Sequence, residues 1–290
     1  MNLDLYNTLK LVAPGTKLRE GLDNIIKAKT GALIVIGSTK EVLSISHGGF
    51  FINCEYSPSN VYELAKMDGA IIMSSDCRRI LYANAQLFPC LLIPSHETGT
   101  RHKTAERVAK QTGVLVIAIS RRRGVITLYK SNYKYILKDI NEILNKANQA
   151  IQTLEKYKYM LDKAMDNLTT LELRNMATLY DVVNTIQKME IVWRIGNELN
   201  MYISELGTEG RLLAMQVKEL IKGIEDDRRN LIKDYLKEGY KDYKTIISDI
   251  EQLDLHQLFN LGLISSLLGY KEEVDILDIK VKTRGFRILS

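Results

Sequence analysis

The chain has 290 residues, 46% of them hydrophobic and 26% charged, a balance that argues against wholesale disorder and leaves room for two domains. Its net charge of +5 is uneven: residues 1–130 hold 17 Lys and Arg against 10 Asp and Glu, and the remainder 23 against 25. No run of about 18 apolar residues and no basic-then-apolar leader occurs, which argues against a membrane span or a secretory signal.

In chain order, Leu5, Leu9, Leu11 and Val12 predict a first helix stopped at Pro14-Gly15, and Thr16 caps a second with Leu18, Leu22, Ile25 and Ile26 at helical spacing. The apolar run between Gly31 and Gly37 predicts a strand buried on both faces. Residues 42–46 are expected to form its hairpin partner. Ser57-Pro58 opens a helix through Met67, and Ala70–Ser74, Ile80–Ala83 and Leu91–Ile93 read as further strands. A helix from about Thr100 to Thr112 leads to strands at Val114–Ser120 and Val125–Tyr129, joined by the basic turn Arg121-Arg122-Arg123-Gly124. From Tyr133 no strand pattern survives, Pro is absent, and an i, i+3, i+4 rhythm predicts a helical bundle broken at Gly196, Gly207, Gly210, Gly223, Gly239, Gly262 and Gly269. The tail loses that rhythm and reads as a linker. The expected class is therefore α+β followed by all-α: a mixed α/β domain with a central sheet flanked by helices over 1–132, helices over 133–275, and a tail over 276–290.

Chemistry concentrates in Gly99-Thr100-Arg101-His102-Lys103-Thr104-Ala105-Glu106-Arg107, where a loop becomes a helix. A helix start offers free N–H groups and the positive end of the macrodipole, which favour phosphate. Thr100 and Thr104 offer hydroxyls, Arg101 a bidentate fork, and His102 a ligand for phosphate or an assistant to a metal. A Thr-capped helix with solvated charges fits the same residues. Upstream, Asp68-Gly69-Ala70 places a carboxylate before a strand; by itself it is equally a turn Asp followed by a turn Gly. Ser120 ends a strand, a usual place for a ligand contact. Leu87 precedes Phe88-Pro89 as a core or loop hydrophobe. The excess positive charge of the N-terminal half draws anions, although a mildly basic solvated surface fits it too. Cys54, Cys77 and Cys90, odd in number and without CxxC spacing, fit reduced cytoplasmic thiols.

Asp68-Gly69-Ala70, the segment Leu81-Tyr-Ala-Asn-Ala-Gln-Leu-Phe-Pro89, and the run from Glu97 through Gly99-Thr-Arg-His-Lys-Thr104 to Thr112 closely resemble the DNA-integrity-scanning family of diadenylate cyclases. The resemblance covers essentially the whole chain. Lys103 stands where the family usually has Arg; it keeps the charge and loses the planar fork. The resemblance implies condensation of two ATP into cyclic di-AMP with release of pyrophosphate. Asp68 would bind Mg²⁺ or Mn²⁺ and help activate a 3′-hydroxyl. Gly69, Ala70 and Leu87 would line the nucleotide pocket, with Gly99, Thr100, Arg101, His102, Lys103, Thr104 and Ser120 contacting ATP; Asp68, Arg101 and His102 would be the catalytic group.

A two-fold symmetric product calls for two half-sites facing each other, hence a homo-oligomer, and the resemblance implies an octamer. It also implies a cytoplasmic protein, and branched-DNA binding through a helix-hairpin-helix domain that would follow residue 290. The competing expectations are a non-catalytic ATP or cyclic di-AMP sensor or scaffold, and a DNA-binding module using the basic half.

Overall fold

A computed structural model describes residues 3–270 and 279–287. The chain divides into two compact units, residues 1–143 with 204–209, and residues 144–203 with 210–290.

The first unit opens with α1 (Leu3–Leu11) and α2 (Lys17–Lys27). Thr16 caps α2 as expected, its Oγ1 accepting from Arg19 N at 3.1 Å. Then come β1 (Ala32–Ile36), α3 (Lys40–Ser44), β2 (Ser46–His47), β3 (Phe50–Glu55) and α4 (Pro58–Leu64). β4 (Ala70–Met73), β5 (Arg79–Leu87), α5 (Thr100–Thr112), β6 (Leu115–Ser120), β7 (Val125–Lys130) and β8 (Tyr133–Ile136) complete it. Among the described residues these strands form one eight-stranded sheet in the order β2-β5-β4-β1-β6-β7-β8, with β3 also on β5. The β1–β4 pair is parallel, and β1–β6, β4–β5, β6–β7 and β7–β8 are antiparallel.

Every residue of β1 and β4 is buried, which explains their continuous apolar runs: both faces of the central strands are covered. On one face Leu33, Val35, Ala70, Ile72, Val116 and Ala118 pack with Val42 and Ile45 and with Ala105, Val108 and Ala109 of α5. The alternate residues Ile34, Ile71, Ile117 and Ile119, all buried, point to the opposite face by the period of two. There α2 and α4 pack on each other and α2 reaches β6.

Three local expectations differ from the structure. Residues 40–44 are helix, because Thr39 Oγ1 accepts from Val42 N at 3.3 Å and closes a turn that Val42, Leu43 and Ile45 cannot overrule. Residues 91–93 are turn and bend, with Leu91 79% and Leu92 91% exposed. Tyr133–Ile136, expected to begin the helices, is a strand on β7, closed by the two-residue turn Ser131-Asn132 with Ser131 at φ 51°. No expectation covered β3.

The second unit holds most of α6 (Ile140–Leu173) and α7 (Leu179–Leu206), then α8 (Arg211–Leu220), α9 (Ile224–Tyr235), α10 (Tyr243–Gln252), α11 (Leu255–Leu258) and α12 (Leu261–Leu267). Of the glycines expected to break helices, Gly196 lies inside α7 and Gly262 inside α12; the others fall at helix ends or turns. No helix of the described residues is long and apolar enough to cross a membrane.

The expected linker begins in part outside the described residues, but 279–287 is held against the helices. Val281 N donates to Ala177 O at 3.0 Å, and the backbone N–H groups of Phe286 and Arg287 donate to the Asp234 carboxylate at 2.7 and 3.0 Å. Arg287 donates to Thr169 Oγ1 at 3.1 Å and pairs with Glu172, whose other oxygen accepts from Tyr235 at 2.5 Å. Glu172 is buried, so removing its cation strands a charge in the interior. Arg287→Ala is expected to lower the stability of this unit by about 3 kcal/mol, read from the midpoint of urea unfolding; an unchanged midpoint would show that the tail contributes nothing.

Candidate functional site

A cavity of about 510 Å³ opens in the first unit where the ends of three strands meet α5. Gly69 and Ala70 lie at the start of β4, Leu33 on β1, and Ala85 to Phe88 at the end of β5. Thr100, Arg101 and Thr104 close it, on one face of α5 by the helical period. Six residues singled out from the sequence, Gly69, Ala70, Leu87, Thr100, Arg101 and Thr104, are thus brought together. Ala85, Gln86 and Phe88, which belong to the family-like segment but carried no assigned role, join them, as does Leu33 of the buried strand β1.

Backbone geometry shapes this wall. Gly69 has φ +93°, and a Cβ there would lie 2.8 Å from Asn84 C and 3.0 Å from Ala85 O. Asn84 itself adopts φ 56°, where the β4–β5 register shifts. The bulge and the bare glycine let β4 and β5 approach at the cavity mouth.

Arg101 is half-buried, and its Nη1 donates to Ile119 O at 3.4 Å. Gly31 makes the room: a Cβ there would sit 2.1 Å from Arg101 Nη1. α5 starts at Gly99 with no side-chain cap, whereas Thr16, Thr39 and Ser57 cap α2, α3 and α4. Its first N–H groups are left for another acceptor.

Asp68 is exposed beside Gly69 and has no hydrogen-bond or ion-pair partner among the described residues. Those residues contain no group of three or more His, Cys, Asp or Glu able to hold a metal. One free carboxylate suits Mg²⁺ or Mn²⁺, which keep several waters and take further oxygens from substrate phosphates; it does not suit a metal held by the protein alone.

Asp68, Gly99, His102, Lys103 and Ser120 do not line the cavity. Lys103 is exposed. Ser120 Oγ accepts from Arg123 N at 3.2 Å and so shapes the basic turn. His102 points to the neighbouring strand, its Nδ1 3.0 Å from Tyr129 OH on β7. Tyr129 donates to Glu97 Oε1 at 2.9 Å, and Glu97 pairs with Lys134 of β8. Burial pushes the Glu97 carboxyl up, but Lys134 and the Tyr129 hydroxyl outweigh it and hold it below the usual range. Burial pushes His102 down, aided by Arg123, Arg101 and Lys134 against the opposing pull of Glu97. Burial and Glu97 together raise the Tyr129 phenol. In the sequence Glu97 belongs only to the family-like run, and Tyr129 and Lys134 only to a stretch of tyrosines among basic residues; strand pairing is what brings them to His102.

The rest of α5 pins the loop before it. Glu106 accepts from Ser95 Oγ and His96 N at 2.5 and 3.2 Å and pairs with Lys110 at 2.7 Å. Arg107 donates to Ile93 O and Lys110 to Pro94 O, both at 2.9 Å. Several charges of this basic run therefore hold structure rather than face a ligand.

Comparison with known proteins gives two family matches: the DisA bacterial checkpoint controller nucleotide-binding family over residues 19–133 and the DisA bacterial checkpoint controller linker region over 137–277. The DNA integrity scanning protein DisA of Clostridium tetani is 54% identical over 286 residues, covering 99% of this chain and 79% of that protein. Its counterpart in Clostridium kluyveri is 54% identical over 287 residues, covering 99% and 80%. Among solved structures, a double mutant of DacA from Staphylococcus aureus aligns at 19% identity with a TM-score of 0.36, covering 49% of this chain and 94% of that one.

Two outcomes test this geometry. Gly69→Ala forces a Cβ against Asn84 and is expected to cost about 1–3 kcal/mol, measured by urea unfolding of the chain; an unchanged midpoint would mean that β4 and β5 separate freely. Glu97 has a lowered folded value, so its contribution is complete above the unfolded value of about 4.3 and is lost as pH falls through the folded one. Melting temperatures taken from about pH 6 to about pH 3 should therefore fall more steeply for the native chain than for Glu97→Gln. Parallel curves would remove that contribution.

Proposed function

Because the chain belongs to the DisA family of bacterial checkpoint controllers, we propose that it is a diadenylate cyclase, condensing two ATP into cyclic di-AMP and two pyrophosphates. The observation that carries this reading is the single cavity that gathers Gly69, Ala70, Leu87, Thr100, Arg101 and Thr104. In each step a ribose 3′-oxygen attacks the α-phosphorus of the other ATP. The new P–O bond replaces the bond to the β-phosphate oxygen, and pyrophosphate leaves.

Leu87, with Leu33 and Ala85, gives the cavity an apolar wall suited to a nucleoside. Gly69 and Ala70 let the backbone approach it closely. Thr100, Thr104 and the uncapped start of α5 supply donors to phosphate oxygens, and Arg101 opposes the charge that grows on them. Gly99 leaves the helix start open, while Ser120 and Lys103 act from outside the cavity, Lys103 by charge alone. Asp68 would hold Mg²⁺ or Mn²⁺ together with substrate oxygens; the cation lowers the pKa of a bound hydroxyl and screens the phosphates. With no ion-pair partner among the described residues, Asp68 is available for that duty.

One cavity holds one ATP, and a two-fold symmetric product requires a second copy of the chain. Assembly to an octamer, DNA scanning of the kind named in the relatives, and a cytoplasmic location belong to the same reading. The free thiols Cys54, Cys77 and Cys90 support the last.

The test is incubation with ATP and Mn²⁺ or Mg²⁺ and separation of the products by chromatography. Cyclic di-AMP is expected, and Asp68→Asn should slow its formation by about 10²-fold or more while the elution volume of the assembly stays the same. ATP bound without turnover would favour a sensor. A full rate in Asp68→Asn would overturn the role of Asp68.

A further inference from the structure

The mechanism above leaves one polar chain unused, running inward from the surface: the exposed Lys134, the half-buried Glu97, the buried Tyr129 and the half-buried His102, contributed by β8, the loop before α5, β7 and α5. The direction of its hydrogen bonds follows from its members. An ionised carboxylate only accepts, so the single Tyr129 proton goes to Glu97 at 2.9 Å. The Tyr129 oxygen can then only accept from His102 Nδ1 at 3.0 Å. Nδ1 must therefore carry the hydrogen, the opposite of the tautomer that a free imidazole prefers.

We propose that Glu97 and Tyr129 are positioning residues that fix His102 as the Nδ1–H tautomer, so that its Nε2 presents a lone pair at the start of α5. His102 Nε2 has no partner among the described residues, and the ring is half-buried with its Cδ2 edge 4.0 Å from a Cβ built at Gly99. The charged groups that act on it are Glu97 on one side and Arg101, Arg123 and Lys134 on the other, and burial adds to the three cations in keeping it neutral. A neutral ring in this tautomer accepts a hydrogen bond from a hydroxyl or binds a cation. It does not donate to a phosphate oxygen, which separates His102 from Arg101 and Thr104 in chemistry as well as in place.

The tautomer follows from the protein alone; its catalytic consequence rests on the cyclase reading above. The full chain, labelled with ¹⁵N in its imidazoles, is observed at about pH 8, where an ordinary histidine is neutral. His102 is assigned by the signal lost in His102→Gln. A protonated Nδ1 and a bare Nε2 are expected, and Tyr129→Phe should return the ring to Nε2–H. Glu97→Gln, which keeps the shape of the chain and removes the obligatory acceptor, should give a mixture and serves if Tyr129→Phe does not fold. In the ATP assay Tyr129→Phe is expected to lower kcat about tenfold to a hundredfold with KM little changed.

An Nε2–H ring in the native chain, or an unaltered tautomer in both variants, would overturn the proposal. The expected tautomers in a chain that makes no cyclic di-AMP would overturn the cyclase reading and leave the positioning intact. A shifted tautomer with full kcat would show that the relay does not serve the reaction.

Discussion

The first unit depends on how closely three backbones approach along β5. Gly69 presses from β4, where a Cβ would meet Asn84 C at 2.8 Å, and Gly49 presses from the turn before β3, where a Cβ would meet Ala83 O at 2.6 Å. Between them β5 breaks its register at Asn84, in a left-handed conformation that Asn tolerates better than most residues. Two missing side chains and one bulge thus set the path of Ala85 to Phe88, and with it the strand-side wall of the cavity. The bulge also keeps Ala85 on the core face with Ala70 and Ile72, since a one-residue change of register would turn it to the other side of the sheet.

α5 is the second constraint, and it works on three sides at once. Ala105, Val108 and Ala109 anchor it in the core. Thr100, Arg101 and Thr104 face the cavity, His102 turns to Tyr129, and Glu106, Arg107 and Lys110 hold the loop from Ile93 to His96. A helix of 13 residues carries these duties because successive residues advance by about 100°. The crowding of charge that marks this segment in the sequence is therefore a superposition of ligand-facing, positioning and purely structural side chains.

That superposition explains what could be read from the sequence. β1, β4, β6 and β7 were legible because continuous burial writes itself as continuous apolar runs, α2 and α4 because side-chain caps mark their starts, and α5 because it runs between Gly99 and Gly113. The short α3 was not, although Thr39 at its start was the available signal; Val42, Leu43 and Ile45 outweighed it. Leu91 to Ile93 misled in the other direction, since an apolar run implies burial only when something covers it. Tyr133–Ile136 could have been found from the two-residue Ser131-Asn132 turn. At the site, the family-like residues converge on the cavity with the exceptions of Asp68, Gly99, His102, Lys103 and Ser120. Glu97, Tyr129 and Lys134 were beyond reach, because only the pairing of β7 with β8 sets Lys134 near the loop before α5.

The position of β1 in the sheet has a kinetic meaning. Its parallel partner β4 follows at residues 70–73, but its other edge is closed only by residues 115–119. A chain leaving the ribosome thus carries Ala32 to Ile36, five residues that end fully buried, with one edge open until β6 has emerged. Non-local pairing of this kind is slow and exposes a template for misassembly. The same delay governs Arg101, whose acceptor Ile119 O arrives with β6. A nascent chain shorter than that has the ingredients of the cavity and no means of aiming its guanidinium, so the binding site is born late, in one event with the closure of the sheet.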